Sequence, residues 1–255
     1  MTTIVSYNVN GLRSAISKNF LDWLDREQFD IVCLQETKAL PEDIPLLEIE
    51  ALGYRHCWHS AEKKGYSGVA TFSKREPDNV VVGCGIDKYD REGRILRTDF
   101  GDWSVLNCYF PSGTSGEERQ AFKMEFLDDF FRWATELKKE RPQLIIVGDY
   151  NIAHSELDIH DPKGNKKSSG FLPEERDWMT KWFTSGFTDA FRHKHPELAE
   201  YSWWTYRAGA RANNKGWRID YQAVSDNLAD HVLDARQRTE IVHSDHCPVW
   251  MQIAL

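Results

Sequence analysis

Leu144-Ile145-Ile146-Val147-Gly148-Asp149-Tyr150-Asn151 is the stretch on which the fold turns. A strand-like apolar run discharges into a carboxylate and an amide. Two residues apart at a strand's exit, Asp149 and Asn151 are expected to point the same way, because side chains alternate faces with period two. Further along, Ser244-Asp245-His246-Cys247-Pro248 forms a charged turn ahead of a last apolar strand. It offers a second carboxylate and an imidazole from another strand end. Acidic metal ligands, a group to activate water and a donor for phosphate oxygens are what phosphodiester cleavage requires.

Working outward, short apolar or alternating runs recur at Thr3–Val9, Asp30–Gln35, Gly68–Ser73, Val80–Cys84, Ile95–Asp99, Ser104–Phe110, Gln143–Gly148, Arg218–Val224 and Pro248–Ile253. Helical patterns fall at Ser14–Arg26, Gly116–Glu140 and Pro173–Ser185. In the second, Phe122, Phe126, Phe130 and Trp133 keep three- and four-residue spacing, a stripe that packs on a core. Many strands and several helices without strict βαβ alternation predict two packed sheets flanked by helices. Val5-Ser6-Tyr7-Asn8 weakly echoes Val147–Asn151, each a strand with a polar end.

The chain has 255 residues, 41% of them hydrophobic, enough for a sizeable core. No Gly/Ser/Pro-rich linker divides it, so a single domain over 1–255 is expected. Its start enters a strand pattern with no basic and apolar leader, and no apolar run approaches the ~18 residues of a membrane span. The five cysteines are scattered and never spaced C-x-x-C. Buried thiols at Cys33 and Cys108, no disulfide, no zinc site and a reducing cytoplasm are expected. The net charge of −8 argues against a uniformly basic nucleic-acid binder, yet Lys163, Lys166 and Lys167 cluster, as do Arg207, Arg211, Lys215 and Arg218. A local patch survives a negative total because distant charges are screened beyond ~8–10 Å.

Five strand ends carry polar residues that packing does not explain: Asn8 and Asn10, Gln35-Glu36, Asp149 and Asn151, Asp220, and Asp245-His246. Taken singly, each also reads as a turn or cap. Together they supply carboxylates, amides and a histidine, a set that suits a hard cation such as Mg2+ or Mn2+. The remaining histidines form no zinc spacing, and Asp158-Ile159-His160-Asp161 reads as a loop. Tyr201-Ser202-Trp203-Trp204-Thr205-Tyr206 is unusually aromatic. It serves either as core filling or as an apolar slot for an unstacked sugar or base, rimmed by cations.

These motifs, in this order, resemble the exonuclease III family of abasic-site endonucleases, within the wider endonuclease/exonuclease/phosphatase group. The resemblance runs over essentially the whole chain: N-V-N-G at Asn8–Gly11, Q-E-T-K at Gln35–Lys38, G-Y-S-G-V at Gly65–Val69, D-R-E-G-R at Asp90–Arg94, G-D-Y-N-I-A-H at Gly148–His154, P-K-G-N-K-K at Pro162–Lys167, G-W-R-I-D-Y at Gly216–Tyr221 and S-D-H-C-P at Ser244–Pro248. It implies a DNase I-like four-layer α/β sandwich, with two mainly antiparallel sheets face to face and helices outside. It further implies Mg2+-dependent hydrolysis of the phosphodiester 5′ to an abasic site in duplex DNA, leaving a 3′-hydroxyl and a 5′-deoxyribose phosphate, Mn2+ substituting. Removal of blocked 3′ ends and 3′–5′ exonuclease action go with it. A monomer is expected, with no organic cofactor.

By the same resemblance, Glu36 is the main metal ligand, with Asn10, Asp245, Asp149 and Asn151 about the ion. Asp149, kept ionised by donors such as Asn151, orients or deprotonates the attacking water. His246, paired with Asp220, donates to the scissile phosphate alongside Asn8, Tyr109 and Asn151. Trp203, Trp217 and Ile219 match a pocket for the extruded sugar; Tyr66, Arg94, Arg119, Lys163, Arg207 and Arg211 match DNA contacts. Asn10 stands where some members carry Asp, Ser112 where some carry Asn, and Ser115 and Arg207 where certain relatives wedge the duplex. Two rivals stand beside this reading: a catalytically retired adaptor, and a general nuclease or phosphatase of the same fold.

Overall fold

The computed structural model describes residues 1–255. Its strands are β1 (Thr2–Asn8), β2 (Ile31–Gln35), β3 (Arg55–His59), β4 (Val69–Ser73), β5 (Asn79–Val82), β6 (Ile95–Phe100), β7 (Trp103–Tyr109), β8 (Gln143–Asp149), β9 (Phe187–Asp189), β10 (Asp220–Ser225), β11 (Val232–Gln237) and β12 (Val249–Ile253). They form two six-stranded sheets, ordered β11-β12-β1-β2-β4-β3 and β5-β6-β7-β8-β10-β9. Each sheet has one parallel central pair, β1 with β2 and β7 with β8, and is otherwise antiparallel.

The two orders are one topology, shifted along the chain: β7 to β10 take the places of β1 to β4, and β5-β6 those of β11-β12. The counterpart of β8 is therefore β2 rather than β1, which corrects the echo seen between Val5–Asn8 and Val147–Asn151. Across the two parallel pairs, Asn8 lies opposite Gln35 and Tyr109 opposite Asp149. Those four positions close the two sheets at one end.

Strand parity explains why polar groups gather there. Ile4, Ile31, Cys33, Val105, Ile145, Val147 and Val224 fill the layer between the sheets. Stepping by two from these residues reaches Asn8, Gln35, Tyr109, Asp149 and Asp220. The odd-out residues face the helices instead. Val5, Tyr7, Val32 and Leu34 pack with helices Leu12–Ile16, Phe20–Glu27 and Leu46–Ala51. Leu144 and Ile146 pack with Phe126 and Phe130 of the long helix Glu117–Glu140 and with Trp178 and Trp182 of helix Pro173–Phe183. Four layers result. A polar seam interrupts the inner one, where Gln35 Nε2 donates to Asn107 Oδ1 at 2.8 Å and Asn107 Nδ2 donates to the carbonyls of Leu34 and Ala70.

Several elements differ from the sequence reading. The helix expected over Ser14–Arg26 is two helices, broken at Asn19, whose φ of 68° is left-handed. Strands β3, β9 and β11 have no counterpart among the expected runs, and all three are sheet edges. An edge strand has one neighbour and a wet flank, so its residues need not alternate. All five cysteines are free, and Cys33 and Cys108 are buried.

Candidate active site

At the polar end of the inter-sheet layer lies a cleft of about 560 Å³, whose lining includes Glu36, Tyr109, Asp149, Asn151, Trp203, Trp217, Ile219, Asp245 and His246. Asn8 sits at its floor, donating through Nδ2 to Glu36 Oε1 and Asp149 Oδ2, each at 2.8 Å. Tyr109 donates its hydroxyl to the same Glu36 oxygen at 2.8 Å, and Lys38 Nζ meets Glu36 Oε2 at 2.8 Å. Asp149 Oδ1 accepts from the backbone N–H of Asn151 at 2.8 Å. Across the cleft, His246 Nδ1 lies 2.8 Å from Asp220 Oδ2, and His246 Nε2 lies 3.8 Å from Asp149 Oδ2.

The loops that shape this end are held in a costly backbone region. Asn10, Glu36, Lys38 and Asn151 all have φ between 45° and 53°. Non-glycine residues adopt left-handed φ rarely, and such conformations collect where side chains must be aimed. Asn151 reaches the cleft by this turn, not by strand pleating, because β8 ends at Asp149. Its Nδ2 donates to the Phe110 carbonyl at 2.9 Å.

Burial works to raise the Glu36 carboxyl, but Lys38 and the Asn8 amide hold it below the ordinary value. Asp245 is likewise lowered against burial, by the charge of His246 and by donors Asn10 and Trp203. Asp149 goes the other way. Its complete burial and the neighbouring Asp220 charge push it up, more than the charge of His246 and the Asn8 donor offset. Burial disfavours a charged His246, yet Asp220 and then Asp149 carry it up to about 10, which makes the ring a cation. Tyr109 is pushed well above the ordinary phenol value by burial and Glu36, so it remains a donor.

Ligand atoms of Glu36, Asp149 and His246 all lie within 4.8 Å of one another. A cationic ring with Nδ1 committed to Asp220 donates rather than ligates, leaving the carboxylates as the donor set. Hard oxygens with no thiolate among them fit a hard divalent cation.

A family model described as the Endonuclease/Exonuclease/phosphatase family matches residues 5–246. The chain belongs to this family. It is 42% identical over 248 residues to an exodeoxyribonuclease of Bacillus subtilis, covering 96% of this chain and 97% of that one. It is 41% identical to the DNA repair nuclease APEX1 of Danio rerio, covering 99% of this chain and 82% of the relative. An AP endonuclease structure from Archaeoglobus fulgidus superposes with a TM-score of 0.92 at 28% identity, over 100% of both chains. The chain is thus a nuclease hydrolase of the exodeoxyribonuclease and abasic-site endonuclease class, with the DNase I-like sandwich described above.

Against that family background, the residues singled out in the sequence divide by position. Of the members expected at the reaction centre, Glu36, Tyr109, Asp149, Asn151, Asp245 and His246 line the cleft and Asn8 and Asp220 lie buried directly behind them, whereas the Asn10 amide bridges Asp245 Oδ1 (3.0 Å) and Lys38 Nζ (2.6 Å). Trp203 and Trp217 meet edge to face, centroids 6.1 Å apart, beside Ile219, Ala153 and Phe171. Trp203 Nε1 also donates to Asp245 Oδ2 at 3.1 Å, tying the apolar wall to the carboxylates. Lys163 and Arg207 are exposed, and Ser168 to Gly170, downstream of Lys163, line the cleft.

Three cations depart from the expectation of DNA contact. Arg94 is 1% exposed, with its guanidinium spent on Glu92, the Tyr109 carbonyl and the Tyr66 hydroxyl. Arg211 clasps the carbonyls of Ser244, Thr239 and Ile241, so it ties the Asp245 loop to its neighbours. Arg218, counted in the basic cluster, is buried in ion pairs with Asp158 and Asp189 at 2.7 Å each. Arg119, by contrast, is partly exposed while chelating Glu92 and reaching Tyr66. The partners of Arg211 and Arg218 are distant in sequence, whereas Glu92, shared by Arg94 and Arg119, lies only two residues before Arg94. The sequence reading also passed over Lys38 and Ser202. Lys38 stands two residues after Glu36, a signal that was available. Ser202, within the aromatic run Tyr201–Tyr206, donates to Asp220 Oδ2 at 2.6 Å, a partner eighteen residues away that the run does not indicate.

Proposed function

We propose that the protein is a single-domain, monomeric Mg2+-dependent endonuclease that cuts the phosphodiester 5′ to an abasic site in duplex DNA. The convergence of Asn8, Glu36, Tyr109, Asp149, Asn151 and the His246–Asp220 pair beside an aromatic wall carries this reading. A retired adaptor would have no need of a charged, donor-saturated cleft. A general phosphatase would have no need of the Trp203–Trp217 slot or of the exposed cations at Lys163 and Arg207.

Water attacks the phosphorus and gives up one proton, the bond from phosphorus to O3′ breaks, and O3′ takes a proton from solvent to leave as a hydroxyl. Asp149 is the group that accepts the water proton. Its two oxygens are already aimed by Asn8 and the Asn151 amide, so no reorganisation is needed at the transition state. Charge growing on the phosphoryl oxygens meets donors already at the cleft: His246 through Nε2–H, Asn151 through its amide, and Tyr109 once its hydroxyl turns from Glu36. Asp220 keeps the His246 ring oriented and charged. Glu36 and Asp149, with Asp245 near, would hold the cation, and Lys38 neutralises Glu36 in its absence. When bound, the ion supplies positive charge against the phosphate and holds Asp149 ionised.

The slot formed by Trp203, Trp217 and Ile219 receives the extruded sugar, which lacks a base and so enters where a nucleotide would clash. A 3′ phosphatase NExo from Neisseria, solved with a product DNA hairpin, superposes with a TM-score of 0.92 at 26% identity. This supports removal of blocked 3′ ends at the same cleft. Incubating the protein with a labelled abasic duplex, its undamaged twin and a 3′-phosphorylated duplex tests the reading, with Mg2+, Mn2+ and EDTA as conditions. Incision of the abasic strand and release of the 3′ phosphate, with no internal cut in the undamaged twin and both reactions abolished by EDTA, is the expected result. An intact abasic duplex under both ions would overturn it.

A further inference from the structure

Beneath the cleft, the helix Glu117–Glu140 contributes a lysine to an apolar core. Lys123 and Glu175 are each 0% exposed, and Lys123 Nζ meets Glu175 Oε1 at 2.6 Å. Burying two charges is costly, and a buried ion pair is seldom kept for stability alone. Glu175 Oε1 also accepts from Gln120 Nε2 at 3.0 Å, and the other bonds of the pair go to backbone beside the cleft, one of them capping the helix Pro173–Phe183. Lys123 Nζ also donates to the backbone carbonyl of Asn151 at 2.8 Å. Glu175 Oε2 accepts the N–H groups of Gly170 and Leu172, at 2.6 and 3.0 Å. One ion pair thus grips two separate loops.

Both loops need a grip. Asn151 sits at a φ of 53°, and Gly170 at 95°. A Cβ on Gly170 would lie 3.0 Å from the Trp217 ring and 3.1 Å from the Asn151 carbonyl. Gly170 is therefore the point where the phosphate-donor loop, the small-residue loop and the aromatic wall touch. A shift of either loop changes the spacing between the Asn151 amide and the sugar slot.

We propose that Lys123 and Glu175 are positioning residues for the reaction, fixing the Asn151 loop against the Gly170 turn so that phosphate donor and sugar slot keep one separation. This rests on the proposed hydrolytic role of the cleft, although neither residue touches the DNA. Lys123 acts through the Asn151 carbonyl, and Glu175 through the Gly170 and Leu172 amides. Preorganised donors lose effect steeply when displaced by about 1 Å, so the consequence falls on the chemical step.

A double-mutant cycle with single-turnover incision of an abasic duplex tests this. Lys123→Met should slow the chemical step by about 10²-fold with duplex affinity little changed. Lys123→Arg, which keeps a cation able to donate to both Glu175 and the Asn151 carbonyl, should recover part of the rate. Because Asn151→Ala removes the side chain but leaves the carbonyl, Lys123→Met should cost little in that background. Hydrogen exchange gives a readout independent of activity: the amides of 150–152 and 168–172 should exchange faster in Lys123→Met, with β1 and β8 unchanged. Should Lys123→Met fail to fold, Glu175→Gln carries the test, since it keeps one oxygen for the two amides. Additive losses with unchanged exchange in both loops would overturn the positioning role. A wild-type protein inert on abasic DNA would instead overturn the proposed function, and the exchange measurement would still decide the grip.

Discussion

His246 Nδ1 and Asp220 Oδ2 stand 2.8 Å apart at the floor of the cleft, both side chains buried and the second carboxylate oxygen of Asp220 without a partner. A carboxylate kept so dry exerts most of its charge on the ring beside it. This pair, more than the histidine alone, makes the imidazole a cation.

The pH profile should expose that dependence. With Asp220 in place, His246 is raised to about 10, so the ring keeps its proton through the neutral range. In Asp220→Asn the supporting charge is gone and the value falls, so incision should be lost as pH rises through a range where the wild type is still active. His246→Ala should reduce the rate by about 10²–10⁴-fold at every pH. A pH–rate series for the three proteins checks both, and identical alkaline limbs for wild type and Asp220→Asn would contradict the pairing argument.

Glu36 carries the metal prediction. Its oxygens are occupied by Asn8, Tyr109 and Lys38, all donors that a cation can replace or share. Added Mg2+ should raise the melting temperature of the wild type, with an increment that grows with the logarithm of concentration. Glu36→Gln should lose that increment and nearly all activity while melting close to the metal-free wild type. A melting series across Mg2+ concentrations reads the difference directly.

Trp217 should matter for damage recognition. It faces Trp203 edge on and closes the slot over Ile219. Trp217→Ala should weaken binding to an abasic duplex by about 1–3 kcal/mol, the usual worth of one aromatic platform, and leave undamaged duplex binding nearly unchanged. Fluorescence titration of both duplexes distinguishes this from a general loss, in which the two affinities would fall together.

Asp158 governs stability in acid. Burial would raise its carboxyl, but Arg218 and then Arg192 hold it well below the ordinary carboxylate value. The folded value lies under the unfolded one, so the stabilisation is complete above about pH 4 and drains away as pH falls further. Asp158→Asn should cost about 3–5 kcal/mol near neutrality, because Arg192 loses its carboxylate and the buried Arg218 is left with Asp189 alone. It should also flatten the acid limb of a denaturation profile. Urea midpoints between pH 3 and 7 supply the measurement.

The sequence by itself determined the interior strands, the long amphipathic helix and the members of the cleft. Residues such as Ile145, Val147 and Phe126 declare their burial through local period, and Asn8, Asp149 and Asp220 stand out because a polar group at a buried strand end has no packing purpose. The family motifs supplied the rest of the reading, since order along the chain is itself sequence information. Tertiary structure alone decided which cations are free and what the carboxylates do. Arg211 and Arg218 belong to a basic cluster in the sequence, yet Arg218 is buried on Asp158 and Asp189 and Arg211 is spent on the carbonyls of Thr239, Ile241 and Ser244, partners the chain brings from afar. In the metal-free cleft Asp149 is pushed up by burial beside Asp220, a consequence of two strands pairing Asp149 with Asp220 in register. Edge strands β3, β9 and β11 stayed silent for the same reason. Charge state, pairing and edge position depend on what lies across a gap in space, and Coulomb and desolvation energies follow that distance, not the spacing along the chain.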